Sequence, residues 1–382
     1  MSPPLHAVAA AFARNFAERG ELGASLSVWQ HGVELLSLHR GARVREEVDS
    51  WNADTLVPVW SASKGPASLA FLLLLHDAGL TFDTAVRRVW PELRADVTFA
   101  QMLSHQAGLC ALDARPSVFD HAAVAAALAS QMPAWEPGTA HGYHPRTFGY
   151  LLEECTRRIA GRSLGEVLRE RVTGPLDADF WIGLPISENH RVARLYPGKL
   201  KDMSGTDEAE FYRAFSRRDS LSRRAFTSPD GLHAIADMNQ PAAWSAGLAA
   251  IGGVGSARGL AKIYALLAAG GIWQGRPLIP RAVLHQISQP LIQGNDRVLL
   301  LPTRFSAGCM MDPLPATGPK LRSHFGPSPR AYGHPGAGGS LAFADPDTGI
   351  AFAYVMNQME QGVLPNAKSL DLVAAVYASL AI

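Results

Sequence analysis

The run KGPASLAFLLLLHDA, Lys64 to Ala78, constrains this chain more than any other stretch. From Ala67 onward it is apolar on all sides, and a helix with no polar face has to be covered on every side. The most apolar part, Ala67 to Leu75, ends at His76 and Asp77. That is about half of the ~20 residues a membrane span needs, so the segment reads as a buried core helix. A chain of 382 residues can build the layers to cover it, as two lobes or one large domain, without disulfides or metals. With 47% hydrophobic and 18% charged residues it is neither disordered nor a coiled coil. A formal charge of +1 speaks against nucleic acid as a partner. Cys110, Cys155 and Cys309 are odd in number and far apart, which fits small core hydrophobes in a reducing compartment. Residues 1–20 are interrupted by Arg14, Glu18 and Arg19 and read as an amphipathic helix, not an export signal. A cytoplasmic location is therefore expected.

Residues 24–40 read as a β-hairpin turning at His31-Gly32. Helices are predicted over 98–103, 122–129, 146–160 and 163–172, then 255–270 and 369–380. Strands are predicted over 305–311, 340–345 and 350–357, the last two joined by the turn DPDTG. Residues 199–226 are charged and poor in large aliphatics, which predicts a solvated surface excursion or a lid. The order of elements predicts an α+β fold. One antiparallel sheet joins the early hairpin to the late strands, flanked by N- and C-terminal helices, with a helical domain inserted. The corresponding lobes are 1–58 with 245–382, and 59–244, with a site in the cleft between them.

Three segments carry chemistry. Ser61-Ala-Ser-Lys64 places a lysine one helical turn after a serine, where it activates a nucleophile. Chance alone gives some S-x-x-K among six lysines with a probability of roughly one in three; the alternative is a capping serine and a surface lysine. Yet this lysine opens the apolar helix, where a solvated side chain is out of place. Tyr143, after Trp135-Glu-Pro-Gly-Thr139, is a candidate general base or a plain core tyrosine. Gly333-His-Pro-Gly-Ala-Gly-Gly339 reads as a loop offering backbone N–H groups to an oxyanion, or as a loose hairpin connection. Neither H-E-x-x-H nor H-x-x-x-H occurs, so no metal or other cofactor is expected.

In this order and at these separations the three segments resemble a serine hydrolase of the β-lactamase and penicillin-binding-protein fold. The resemblance lies near class C β-lactamases and their esterase branch, the family VIII carboxylesterases. Leu103-Ser-His-Gln-Ala-Gly-Leu109 resembles the L-x-H-x-S-G-L segment of that family, Trp135 to Thr139 its W-x-P-G-T, and Gly333 to Ser340 the G-H-x-G-x-G-G-S of the esterases. The resemblance implies Ser61 as nucleophile, Lys64 as the group that activates it, and Tyr143, kept basic by Lys64, as general base. It implies an oxyanion hole from the N–H groups of Ser61 and Ala337. His334 and Gly336 then stand in the substrate-binding triad of an edge strand, His334 in place of the usual lysine.

Two departures bear on substrate. Pro145 follows Tyr143-His144 where the family has an amide or hydroxyl, and His334-Pro335 replaces a fixed cation and a hydroxyl. Both disfavour a β-lactam or peptide carboxylate, so a small neutral ester is the expected substrate, with β-lactamase, amidase or D-amino-acid peptidase as the alternatives. A non-catalytic scaffold of the same fold is the alternative of another class. Protonation of His334 near pH 6 is expected to aid anionic substrates.

Overall fold

The computed structural model describes residues 5–381. Helix α1 (His6–Glu18) precedes the hairpin of β1 (Gly23–Gln30) and β2 (Val33–Gly41). His31 and Gly32 turn it with φ of 50° and 77°, the left-handed pair that matches the twist of the flanking strands. Strand β3 (Val57–Pro58) and the 3-10 turn Ser61–Ser63 lead into α2 (Lys64–Asp77). There follow α3 (Phe99–Leu103), α4 (His121–Ser130), α5 (Thr147–Ala160), α6 (Leu164–Leu168) and β4 (Phe180–Ile182). Next come α7 (Ala209–Phe215), α8 (Leu221–Thr227), α9 (Pro241–Ser245), β5 (Gly253–Gly255), α10 (Ala257–Ala268), β6 (Ile272–Trp273), β7 (Arg276–Pro277) and α11 (Arg281–Ser288). The chain finishes through β8 (Ile292–Asn295), β9 (Pro302–Phe305), β10 (Met310–Met311), β11 (Tyr332–Pro335), β12 (Leu341–Asp345), β13 (Ile350–Met356) and α12 (Ala367–Ser379).

The main sheet is antiparallel, in the order β2-β1-β13-β12-β11-β10-β9-β8. Ala24 lies opposite Met356 and Gln30 opposite Ile350, so the first hairpin closes on the last strand as expected. Nearly every residue of β1, β12 and β13 is buried, so both faces of the sheet are covered. Helix α10 lies along these three strands. Phe12 of α1 meets Tyr354 of β13 edge-on at 6.5 Å. Asn15 of α1 donates to the Lys368 carbonyl of α12 at 3.0 Å. Helix α2 is buried from Lys64 to Leu75, packed by α5, α6 and α11. Among the described residues no helix is long and apolar enough to cross a membrane.

The structure departs from expectation in five places. A small second sheet, β3-β5-β4, has no clear signature in three such short strands. The strand expected over 305–311 splits into β9 and β10, because Gly308 turns at φ +72° against Ser68 and Phe148, where a Cβ would clash. The helix expected over 163–172 widens after Leu168 into a π-helical turn, Arg169–Thr173. Residues 199–226 are not simply a solvated loop, since α7 and α8 pack through Phe211, Phe215 and Phe226. Aromatic rings supply the burial there that a count of aliphatics overlooks. Finally, β11 is interior to the sheet, although β10 pairs only with Tyr332 and Gly333 and leaves His334 and Pro335 open on that side.

Candidate active site

The small sheet delivers Ser61. Val59 N–H donates to the Gly253 carbonyl at 2.9 Å and Gly253 N–H to Ser63 Oγ at 2.8 Å. This grip holds Trp60 at φ +52°, ψ −130°, a conformation costing a non-glycine residue about 1–3 kcal/mol. The chain turns sharply there, and Ser61 stands partly exposed at the head of the buried helix. Trp60 adjoins Ser61, while Trp244 spends its indole N–H on the Met238 carbonyl at 2.6 Å.

Lys64 is wholly buried. Its Nζ lies 2.9 Å from the Pro145 carbonyl, 3.0 Å from the Ala250 carbonyl and 3.4 Å from Ser61 Oγ. Burial pushes its ammonium well below the usual lysine range. A neutral amine has two N–H groups and one lone pair. The two carbonyls take the N–H groups, and the lone pair is left for Ser61. Pro145, which offers no polar side chain, thus acts through its carbonyl.

Tyr143 is buried with its ring parallel to Phe305 (6.1 Å between centroids, 6° between planes) and edge-on to His105 at 5.0 Å. Lys64 Nζ sits 4.7 Å from the centre of its ring. Burial pushes the phenol above its usual range; a hydrogen bond with Ser61 opposes this and the nearby Asp296 carboxylate adds to it. Burial thus disfavours the charged form of both groups, the ammonium of Lys64 and the phenolate of Tyr143.

His334, on β11, is also buried, and its Nδ1 is 2.8 Å from the Pro335 carbonyl. With that N–H spent, Nε2 faces the Tyr143 hydroxyl at 3.5 Å as an acceptor. Burial holds its pKa down to about 3, against the expected protonation near pH 6. Gly336 is not a free donor either, since its N–H binds the Ser340 carbonyl at 2.6 Å. Its part is close approach: a Cβ there would lie 2.2 Å from the Val59 carbonyl oxygen, just before the nucleophile. The N–H groups of Ser61 and Ala337 have no acceptor among the described residues, while those of Ala62, Ser63, Gly338 and Gly339 are all engaged. Ala337 is partly exposed like Ser61, and Phe226 of α8 closes over Tyr143 at 6.3 Å.

Sequence reasoning missed Asp296. This buried carboxylate accepts the Tyr143 N–H at 2.9 and 3.0 Å, Val298 N–H at 2.8 Å and Leu299 N–H at 2.7 Å. It fastens the tyrosine loop to the turn between β8 and β9. No motif marks an acid that acts through distant main chain. His105 gives the loop a second anchor: its Nδ1 accepts from His144 N–H at 3.2 Å and its carbonyl from Gly142 N–H at 3.1 Å. Burial raises Asp296 to about 6, while its backbone hydrogen bonds keep it from rising further. The acceptor is the ionised form, so turnover is expected to hold above that pH and to fall below it. Asp296→Asn should lower the plateau of kcat roughly ten- to a hundredfold, the worth of about 1.5–3 kcal/mol for a hydrogen bond to a charged group, and abolish the acid limb near pH 6. A limb unchanged in the variant would belong to Lys64 instead.

The family model described as beta-lactamase matches residues 8–375. The Mycobacterium tuberculosis protein named esterase/beta-lactamase LipL is 29% identical over 94% of this chain and 82% of its own length. A solved family VIII carboxylesterase is 32% identical and superposes with a TM-score of 0.86, over 99% of this chain and 98% of that one. A penicillin-binding-protein homologue from Caulobacter crescentus is 34% identical, with a TM-score of 0.83 over 99% of this chain and 98% of its own. EstA from Arthrobacter nitroguajacolicus is 31% identical, with the same TM-score over 100% of this chain and 98% of its own. With a helix headed by Ser61 and Lys64, a tyrosine loop and a glycine-rich strand end meeting as described, and a family match along nearly its whole length, this chain belongs to the beta-lactamase family.

Proposed function

We propose that the protein is a serine hydrolase of small neutral carboxylic esters. Ser61 Oγ attacks the ester carbonyl as its proton passes to the Lys64 lone pair. The N–H groups of Ser61 and Ala337 receive the oxyanion. Tyr143 gives its proton to the departing alkoxide as the C–O bond breaks, and Lys64 reprotonates Tyr143. Water then attacks the acyl-Ser61 ester by the reverse relay and releases the acid. None of these steps calls on a metal or other cofactor. Three buried, unpaired cysteines support a reducing, cytoplasmic setting.

The observation that carries the substrate class is the state of His334. A β-lactam or peptide substrate brings a carboxylate, and here the strand offers a neutral imidazole whose N–H is already taken. A hydrogen bond to a charged group is worth about 1.5–3 kcal/mol, or one to two decades in rate. A neutral ester loses nothing by its absence. The expected result is kcat/KM for p-nitrophenyl butyrate at least ten- to a hundredfold above that for nitrocefin, with His334→Lys narrowing the gap through KM. Nitrocefin turned over as fast as the ester by the wild type would replace the esterase reading with the β-lactamase one.

A further inference from the structure

A cavity of about 380 Å³ lies behind the catalytic lysine, between α5, α6, β4 and the segment 245–251. It falls within the usual size range of small-molecule sites. Ser61, Tyr143 and His334 are not part of its wall. Its apolar surface comes from Phe119, Trp181, Leu248 and Ile251. Most of its polar side chains are satisfied internally. Arg146 donates to the carbonyls of Pro229, Gly231 and Leu232. Glu153 pairs with Arg157 and accepts Leu164 N–H, and Glu166 accepts from Ser163. Two lining groups are left over. The Arg169 guanidinium stacks on Trp181 at 4.5 Å and makes no ion pair or side-chain hydrogen bond among the described residues. Thr173 is fully buried, and its Oγ1 has no partner. Arg169, an exposed residue, thus supplies free hydrogen-bond donors beside apolar walls, while Thr173 Oγ1 has no accessible surface.

We propose that this cavity is a second ligand site, for a monocarboxylate with an apolar body, and that its occupant alters turnover at Ser61. The carboxylate pairs with the Arg169 guanidinium, and the hydrocarbon lies against the apolar residues. The route to the active site is short. Arg146 and Ala250 both line the cavity; Ala250 supplies one carbonyl that holds Lys64 Nζ, and Pro145, next to Arg146, supplies the other. Gly149 of α5 packs against the same segment, where a Cβ would lie 2.6 Å from Ala250 N. An occupant that shifts either wall moves a carbonyl that orients the lysine lone pair. This link to turnover rests on Lys64 acting as the base. The acid released from an ester belongs to the same chemical class as this ligand, as do other apolar carboxylates.

The test uses octanoate and butyrate as probes of the full-length protein. First, Ser61 is blocked with a fluorophosphonate and octanoate binding is followed by calorimetry. One equivalent is expected to bind the blocked protein and to be lost in both Arg169→Gln and Ala246→Trp, the latter filling the cavity mouth. No binding to blocked protein, or unchanged binding in both variants, would overturn the site. Second, p-nitrophenyl butyrate turnover is followed against octanoate and against butyrate, the enzyme's own product in that assay. Competition at Ser61 raises KM alone. Occupancy of the cavity is expected to change kcat two- to tenfold, saturably, and this change, taken relative to each variant's own kcat, is expected to vanish in the two variants. Purely competitive behaviour would overturn the coupling. An effect of butyrate as well as octanoate identifies the product as a natural occupant; an effect of octanoate alone assigns the site to longer apolar acids. If the fluorophosphonate fails to label Ser61, the nucleophile assignment fails, independently of the cavity.

Discussion

Ser61→Ala is expected to lose ester hydrolysis by roughly 10⁶-fold in kcat, with melting temperature and circular dichroism unchanged. The size follows from removing the nucleophile of a serine hydrolase. Ser61 is partly exposed and its hydroxyl supports no main-chain contact, so the fold has nothing to lose. Lys64→Met should reduce kcat by about 10²–10⁴, the usual worth of a general base. The relief of removing a desolvated amine is offset by the Pro145 and Ala250 carbonyls left without a donor, so the melting temperature should stay level or fall modestly. The double variant should be no slower than Ser61→Ala alone, since both residues serve one proton transfer. Steady-state kinetics with p-nitrophenyl butyrate and a fluorophosphonate label on the wild type test all of this. Wild-type turnover in folded Ser61→Ala, or losses that multiply in the double variant, would remove the shared role. A protein that neither labels nor hydrolyses would be the non-catalytic member of its fold.

The second large effect separates acid from base. If Tyr143 protonates the leaving group, Tyr143→Phe should reduce hydrolysis of an alkyl ester such as ethyl butyrate by about 10²–10⁴. Hydrolysis of p-nitrophenyl butyrate should fall only about tenfold. The nitrophenolate is weakly basic and departs without a proton, whereas ethoxide does not. A tyrosine acting only as base for Ser61 would affect both substrates equally, because both need the same attack. Equal losses would return the base to Tyr143, as the family resemblance first implied. Burial, which lowers the Lys64 ammonium and raises the Tyr143 phenol, supports the unequal outcome.

Much of the molecule is legible in the amino-acid order because the relevant signals are local. An all-apolar helix opening with Ser61 and Lys64 has to be buried, and the reactive pair has to stand at its head. The hairpin at His31-Gly32 follows from turn chemistry, and the meeting of early and late strands from the need of a short hairpin for partners. The family resemblance of the motifs implies Ser61, Lys64, Tyr143 and Ala337 together. Protonation states are another matter. Those of Lys64, Tyr143 and His334 depend on how completely water is excluded, and no run of letters states that. Asp296 is reached through main-chain N–H groups from the far side of a loop, so its identity shows only when residues 143 and 296 meet. Gly308 breaks a strand because Ser68 of another element stands against it. Phe226 reaches Tyr143 only because α7 and α8 fold a charged segment back over the cleft. Local chemistry thus determined which residues are candidates to react, while desolvation and long-range contacts, which exist only in the folded chain, set the balance of charge among them.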